Sequence, residues 1–302
     1  MSAPALNLGP ILFNWPAEQK RDFYYRMADE AALDTAYLGE VVCSKRESFF
    51  EPLLGAVIER LEAAGKQVVI STLALIMSPR EMESLRALAA DEERLIEAND
   101  LWGTALLAGR RHCIGPFVNV YNEGTVDYLA RQGAERICLP HELPGASIAA
   151  LAGRGVALEV AVFGRLPLAI SARCYHARVH GLHKDGCQYV CEDDPDGMTV
   201  ETLDGEAFLA VNGTQTLSYR YGSLLGELSE LRHAGVEHFR LSPHMTDMVA
   251  VANLFRAVLN GQREAEGAQH ELEALLDTPL SNGFYYGDEG WRYRDGEPRS
   301  VA

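Results

Sequence analysis

The chain has 302 residues, of which 27 are basic and 43 acidic, and its formal net charge is −16. With 47% hydrophobic and 23% charged residues, the composition is that of a globular protein and excludes a disordered or fibrous one. The acidic balance argues against a nucleic-acid-binding protein that works through bulk charge, because neutralising phosphates requires clustered Lys and Arg.

Short apolar or β-branched runs recur along the chain and predict eight strands, at residues 8–13, 35–40, 67–73, 94–99, 117–121, 136–139, 156–163 and 238–241. Segments with helical spacing separate several of them, at residues 23–32, 49–64, 79–89 and 223–234. Ser78 before Pro79 predicts the start of a helix, and Gly65 predicts the end of another.

This alternation of strands and helices predicts a mainly parallel sheet. Eight such units in a chain of this size favour an α/β fold of the (β/α)8 TIM-barrel-like type. An open doubly wound sheet is the alternative, but Gly9 stands alone after the first strand where a Gly-rich phosphate loop would be needed.

Two segments exceed what the repeating unit needs. Residues 164–221 form an insertion between strands seven and eight, far longer than a strand-to-helix loop. Residues 261–302 form a C-terminal extension rich in aromatic side chains. We therefore expect residues 1–302 to fold as one barrel-like domain that carries both additions.

The sequence shows neither a secretory signal nor an apolar run long enough to span a membrane. Residues 1–10 lack a basic region followed by an apolar core, and the longest apolar run, residues 68–77, is too short. We expect a cytoplasmic protein without a transmembrane segment, in which cysteines stay reduced. The six cysteines are then either buried apolar residues or metal ligands.

Three of these cysteines lie close together in the insertion. Cys174, Cys187 and Cys191 have the spacing C-x12-C-x3-C, and Cys43 follows the second strand. The C-terminal ends of barrel strands share one face, so topology brings Cys43 towards the insertion. Four thiolates in this arrangement are typical of an iron–sulfur cluster.

Zinc is the alternative metal for this group of cysteines. His176, His180 and His183 accompany the three clustered cysteines, and mixed Cys/His sites bind Zn²⁺ tetrahedrally. The spacing matches no common zinc-ribbon pair, however. Cys113 and Cys138 lie in or beside predicted strands and are interpreted as core thiols.

The cysteine-bearing segments resemble the bacterial collagenase-like peptidase family. The resemblance lies in residues 39–46 (GEVVCSKR), residues 163–191 (FGRLPLAISARCYHARVHGLHKDGCQYVC) and the opening residues 8–16, and it extends over nearly the whole chain. It implies a [4Fe–4S] cluster bound by Cys43, Cys174, Cys187 and Cys191.

The resemblance also implies a function in oxygen-independent ubiquinone biosynthesis. It points to a heterodimer with a UbiU-like paralogue that hydroxylates the aromatic ring of a ubiquinone precursor, with the precursor delivered by a lipid-carrier protein and prephenate as the source of the hydroxyl group. Other members of the family modify RNA bases; the acidic balance favours the quinone branch and no nucleic-acid partner. A scaffold subunit with a structural cluster, or a zinc-binding hydrolase of the same fold, are the alternatives.

One departure from the family pattern bears on catalysis. The family signature reads Glu-x-Phe-x-His-Gly, whereas this chain has Glu159, Ala161, Phe163 and Gly164 at those positions. Chemistry that needs the family's His as an acid or base is therefore absent from this chain, which points to a substrate pocket in the partner. The spacing gives Ser44 and Ser171 no His base, so protease activity has no support either.

Several polar residues at strand ends remain as secondary candidates. Glu40 and Glu159 need partners, and for Glu159 we expect an ion pair with Arg173 or Arg240. Arg165 and Arg173 are interpreted as anion ligands or as counter-charges to a cluster. Turn capping or loop roles are expected for the remaining polar residues, Asn14, Asn119, Asn122 and His244.

Overall fold

A computed structural model describes residues 3–295 of the chain. Its strands are β1 (Ala5–Leu8), β2 (Thr35–Leu38), β3 (Gln67–Ser71), β4 (Leu95–Ala98), β5 (His112–Ile114), β6 (Ala134–Cys138), β7 (Ala157–Ile170), β8 (Met198–Glu201), β9 (Ala207–Asn212), β10 (Gln215–Ser223), β11 (His238–Leu241) and β12 (Leu280–Ser281). Its α-helices are α1 (Ala17–Glu30), α2 (Glu47–Ala63), α3 (Pro79–Ala89), α4 (Leu101–Leu106), α5 (Glu123–Arg131), α6 (Gly145–Leu151), α7 (Tyr175–Val179), α8 (Leu228–His233), α9 (Met248–Leu259) and α10 (Ala265–Ala274).

Eight parallel strands close into a barrel. Strands β1 to β7 pair in sequence order, and β11 completes the ring by pairing with both β7 and β1. The closing register joins Ala5 to His238 and Leu8 to Leu241. Helices alternate with these strands, so the predicted (β/α)8 fold is confirmed. None of the helices among residues 3–295 combines the length and apolar character needed to cross a membrane.

Two strand predictions were wrong. The first strand is residues 5–8 rather than 8–13, because Pro10 cannot donate a ladder hydrogen bond; residues 11–13 instead pack as buried loop residues. The fifth strand is residues 112–114 rather than 117–121. There Pro116 begins a short 3-10 turn, and Asn119 ends it in the left-handed conformation, with φ 61°.

Two helix boundaries lie where the capping residues Ser78 and Gly65 predicted them. The Ser78 side chain accepts a hydrogen bond from the Glu81 backbone N–H, and the Glu81 carboxylate accepts one from the Ser78 N–H, which forms a capping box at the start of α3. Gly65, with φ +78°, follows α2. The helix expected at residues 223–234 is shorter, because Ser223 belongs to β10 and α8 begins at Leu228.

The insertion begins as a direct continuation of the barrel strand β7. Strand β7 has 14 residues and continues past the barrel, where β10 pairs with it antiparallel. Strands β9 and β8 then extend this antiparallel layer, and β12 from the C-terminal extension pairs with β10. The predicted boundaries, 164–221 and 261–302, stay predictions; residues 1–2 and 296–302 lie outside the described residues.

Inside the barrel, charged side chains pair with one another. Arg240 Nη2 lies 2.5 Å from Glu97 Oε1 and 2.6 Å from Glu159 Oε2, and Tyr37 donates its hydroxyl hydrogen to Glu159 over 2.8 Å. The expected ion pair of Glu159 is therefore with Arg240 and not with Arg173. Burial disfavours the charged form of Glu159, but Arg240 and Arg136 outweigh it and bring the pKa of this carboxyl to about 2.

Candidate metal centre

Three chain segments bring four cysteines around one cavity. Cys43, Cys174, Cys187 and Cys191 all line the same cavity. Cys174 and Cys191 are buried, whereas Cys43 and Cys187 are half-buried, and all are free thiols. The four predicted ligands thus meet at one place, and one side of the cavity faces solvent.

Cys43 is held by the turn that follows β2. Glu40 Oε1 accepts hydrogen bonds from the backbone N–H groups of Val42 and Cys43, both over 3.0 Å. Gly39 permits the sharp exit from the strand, since its φ is +110° and a Cβ there would lie 2.4 Å from the Ser71 carbonyl oxygen. Glu40 therefore shapes the backbone that carries Cys43.

Cys174 begins the short helix α7. Its Sγ accepts a hydrogen bond from the Ala177 N–H over 3.4 Å. Two residues further on, the buried His176 lies with Nδ1 at 3.3 Å from the Val211 carbonyl oxygen and Nε2 at 3.0 Å from Asp194 Oδ2. These contacts fix α7 against β9 and so fix the position of the Cys174 sulfur.

The loop between Cys187 and Cys191 has an unfavourable backbone. Gln188 and Tyr189 both adopt the left-handed conformation, with φ 49° and 57°. For residues with a Cβ this costs roughly 1 kcal/mol or more each. Strain of this kind concentrates at functional sites, and here it turns the chain so that both cysteines line the cavity.

Arg46 is the residue of the site that the sequence did not reveal. Its guanidinium is fully buried, donates to Cys191 Sγ over 3.4 Å and to the Leu12 carbonyl oxygen over 3.1 Å, and also lines the cavity. Gly213 packs so tightly on it that a Cβ would lie 2.3 Å from Arg46 Nη2. The site therefore contains a fixed positive charge beside its thiols.

Asn212 connects the guanidinium to the cysteine loop. Its Oδ1 accepts from Arg46 Nη2 over 2.8 Å, and its Nδ2 donates to the carbonyl oxygens of Cys191 and Asp194, both over 2.8 Å. Asn212 is the last residue of β9, and Gly213 with φ 69° opens the two-residue loop to β10; Gly at the first loop position is a known hairpin signal. That signal could have predicted the turn, though not its contact with the site.

Burial sets the protonation of the free thiols. Burial raises the pKa of the Cys43 and Cys191 thiols above the ordinary value, and the positive charge of Arg46 opposes this only in part. Metal binding to such thiols releases protons. Cys113 and Cys138 are buried in barrel strands as expected, and burial raises their pKa values strongly.

Four cysteines line the cavity and are the donors that a metal group would use here. Across the part of the chain that the structure describes, no three His, Cys, Asp or Glu side chains are grouped so that they could hold a metal ion. In a [4Fe–4S] cluster, each thiolate binds a different iron, so four cysteines around one cavity fit such a group in donor type and number. His176, His180 and His183 do not line this cavity.

Several secondary candidates have structural roles. Arg165 pairs with Asp196 at 3.2 Å, and His244 Nδ1 lies 2.7 Å from the same carboxylate. Asn122 caps α5 by accepting from the Thr125 N–H over 2.9 Å. Asn119 occupies its left-handed turn and Asn14 is buried beside the Asn212 side chain. Arg173, in contrast, is exposed next to Cys174.

Fold and site together define a (β/α)8-barrel protein with a cavity lined by four cysteines. A model of peptidase family U32 matches residues 24–294, and the chain belongs to this family. A search of solved structures found the tryptophan synthase complex of Pyrococcus furiosus, with 11% sequence identity and a TM-score of 0.39 over 90% of this chain and 96% of that chain.

Proposed function

We propose that this chain is a UbiV-like protein, the [4Fe–4S] subunit of a heteromeric, oxygen-independent hydroxylase that acts on ubiquinone precursors. The observation that carries the proposal is the single cavity lined by Cys43, Cys174, Cys187 and Cys191. Membership of family U32 supports it, because the resemblance described above lies within that family.

The protein's own residues would bind the cluster and position its ligands. The four cysteines would each bind one iron, and the bound cluster would supply one-electron chemistry. Arg46 would offset the negative charge of the thiolates, and its hydrogen bond would orient Cys191. Glu40 would fix Cys43 through two backbone hydrogen bonds.

The barrel itself supports a division of labour with a paralogue. At the position of the family's His, Phe163 stacks on Tyr221 with ring centroids 5.7 Å apart and contacts Phe255 at 6.0 Å. The phenylalanine side chain itself provides no acid or base. We therefore assign ring hydroxylation to a heterodimer with a UbiU-like paralogue, in which prephenate supplies the hydroxyl group and a lipid-carrier protein delivers the precursor.

The replacement of the family's His by Phe163 is also compatible with a second function, that of a scaffold subunit. If catalysis lies wholly in the partner, this chain is a scaffold whose cluster is structural. The two functions differ in redox behaviour, since a redox subunit accepts an electron under mild conditions whereas a structural cluster does not. The half-buried Cys43 and Cys187 favour the redox subunit, because they leave one side of the site near solvent.

Anaerobic purification tests the metal first. We expect brown protein with about four irons and four inorganic sulfides per chain. Cys187→Ala should lose the iron, whereas the matched core variants Cys113→Ala and Cys138→Ala should retain it. Colourless protein with one zinc per chain would support the zinc-binding hydrolase instead, and equal loss from all three variants would contradict the ligand assignment.

Co-purification tests the partner. A tagged chain expressed anaerobically with its native genes should retain a second family U32 protein, and deleting either gene should stop anaerobic ring hydroxylation of the quinone precursor. Unchanged quinone levels in a strain that lacks this chain would contradict the proposed pathway while leaving the cluster assignment intact.

A further inference from the structure

A basic surface lies directly beside the cysteine cavity. An open cavity is lined by Arg173, Arg178, His183 and Lys184, which we call the basic face. Cys174 and Lys184 line both this cavity and the cysteine cavity. A molecule seated on the basic face would therefore contact the residue that carries one of the proposed cluster ligands.

Two arginines of the basic face have no carboxylate partner, whereas Lys184 donates from Nζ to the Ala172 carbonyl oxygen over 3.3 Å. Most exposed arginines pair with a carboxylate, as Arg60 does with Asp29 at 2.6 Å. Within residues 3–295, the guanidinium groups of Arg173 and Arg178 make neither a hydrogen bond nor an ion pair. The nearby carboxylate of Asp185 pairs with Lys45 at 3.3 Å. In a chain of net charge −16, these two guanidinium groups place unpaired positive charge beside the cysteine cavity.

An apolar contact adjoins the cysteine cavity. Phe49 is 51% exposed and packs edge-to-face on Tyr189, with ring centroids 4.7 Å apart. Tyr189 also lines the cysteine cavity. Protein–protein interfaces combine an apolar centre with a polar rim, and electron-transfer complexes use small interfaces steered by complementary charge.

We propose that the basic face is the docking site of an acidic one-electron carrier protein that reduces the cluster; this rests on the proposed function. The cations lie on exposed or half-buried side chains spread over an open surface, which suits an extended acidic surface better than one small anion. In the redox step, one electron passes from the reduced carrier to the oxidised cluster. No bond forms or breaks, and the carrier is left oxidised by one electron.

Stopped-flow reduction of the iron-loaded protein tests the proposal, with reduced flavodoxin as the acidic carrier. We expect the second-order rate to fall steeply with ionic strength, and the double variant Arg173→Glu/Arg178→Glu to lower it at least tenfold at low salt. Arg178→Glu alone should lower the rate, whereas the matched variant Arg131→Glu, an exposed arginine on α5, should not. Reduction by the methyl viologen radical cation should not slow in any variant.

Two results would overturn the docking site. One is a double variant whose rate and salt dependence equal those of the wild type. The other is flavodoxin binding, measured by calorimetry, no tighter than that of serum albumin, an acidic protein without redox function. Iron analysis keeps the proposals separate: an iron-free chain refutes the proposed function, and calorimetry with oxidised flavodoxin still tests the docking surface by itself.

Discussion

Removing the buried charge of Arg46 should lower the reduction potential of the proposed [4Fe–4S] cluster. The guanidinium donates to Cys191 Sγ over 3.4 Å and lines the same cavity as the four cysteines, so its charge stabilises the more negative, reduced state. For a unit charge that acts over a separation taken as roughly 6 Å, with an effective dielectric constant of about 20, the interaction is roughly 3 kcal/mol. For a one-electron couple this corresponds to about 120 mV.

Redox titration followed by electron paramagnetic resonance measures this shift. We expect Arg46→Met to move the midpoint potential negative by about 100 mV, and Arg46→Lys, which keeps the charge but loses the planar fork, to move it less. Arg136→Met is the matched control, since Arg136 is also buried but hydrogen bonds to Tyr37 and Gln67 inside the barrel. Its potential should stay at the wild-type value.

An Arg46→Met variant that retains its iron and has an unchanged or more positive potential would contradict the proposed effect of this charge. If Arg46→Met loses its iron, the redox titration is made on Arg46→Lys instead. An Arg46→Lys variant with full iron content and the wild-type midpoint potential would refute the role of the hydrogen bond. Iron and sulfide are therefore measured on every sample before titration.

Three further substitutions test the fold and the site. On acidification, the unfolding free energy of Glu159→Gln should fall less steeply than that of the wild type, because folding lowers the pKa of Glu159 from 4.5 to about 2. The ionised Glu159 stabilises the folded protein above pH 4.5, and this stabilisation is lost as the pH falls through about 2. That stabilisation is on the order of 3 kcal/mol, and a gap between the two urea curves that stays constant with pH would contradict it. Gln188→Gly should stabilise the metal-free protein by about 1 kcal/mol, whereas Gln132→Gly, at a position with φ −82°, should destabilise it. Gly213→Ala should displace Arg46 and reduce iron content, whereas Gly205→Ala, which has φ +81° and open space around it, should retain iron; equal iron in both would contradict the packing argument.

The barrel was readable from the sequence because its strands and helices alternate at regular intervals. The eighth strand was predicted at its observed bounds, His238–Leu241, whereas the first was displaced because apolar residues 11–13 continue past Pro10. Local apolar character does not show which residues of a run donate ladder hydrogen bonds.

The cysteines were predictable for a different reason. Cys187 and Cys191 lie in a polar segment where burial of a thiol contributes little, Cys174 is close to them in the chain, and barrel topology brings Cys43 to the same end. Arg46 was not predictable, because in the polar run CSKR it resembles an ordinary solvated residue. Its burial depends on contacts with distant parts of the chain, namely the Leu12 carbonyl oxygen, Cys191 and the hairpin at Asn212 and Gly213.

The continuity of β7 with the antiparallel layer also bears on when the proposed cluster can be inserted during synthesis. Cys43 emerges from the ribosome 148 residues before Cys191 (191 − 43), and the turn that packs on Arg46 follows later still. The layer that carries this turn pairs with the outer half of β7, and the inner half of β7 pairs with β11, the strand that closes the ring. We therefore expect cluster insertion to follow completion of the barrel, so that nascent chains arrested before residue 241 should take up no stable iron.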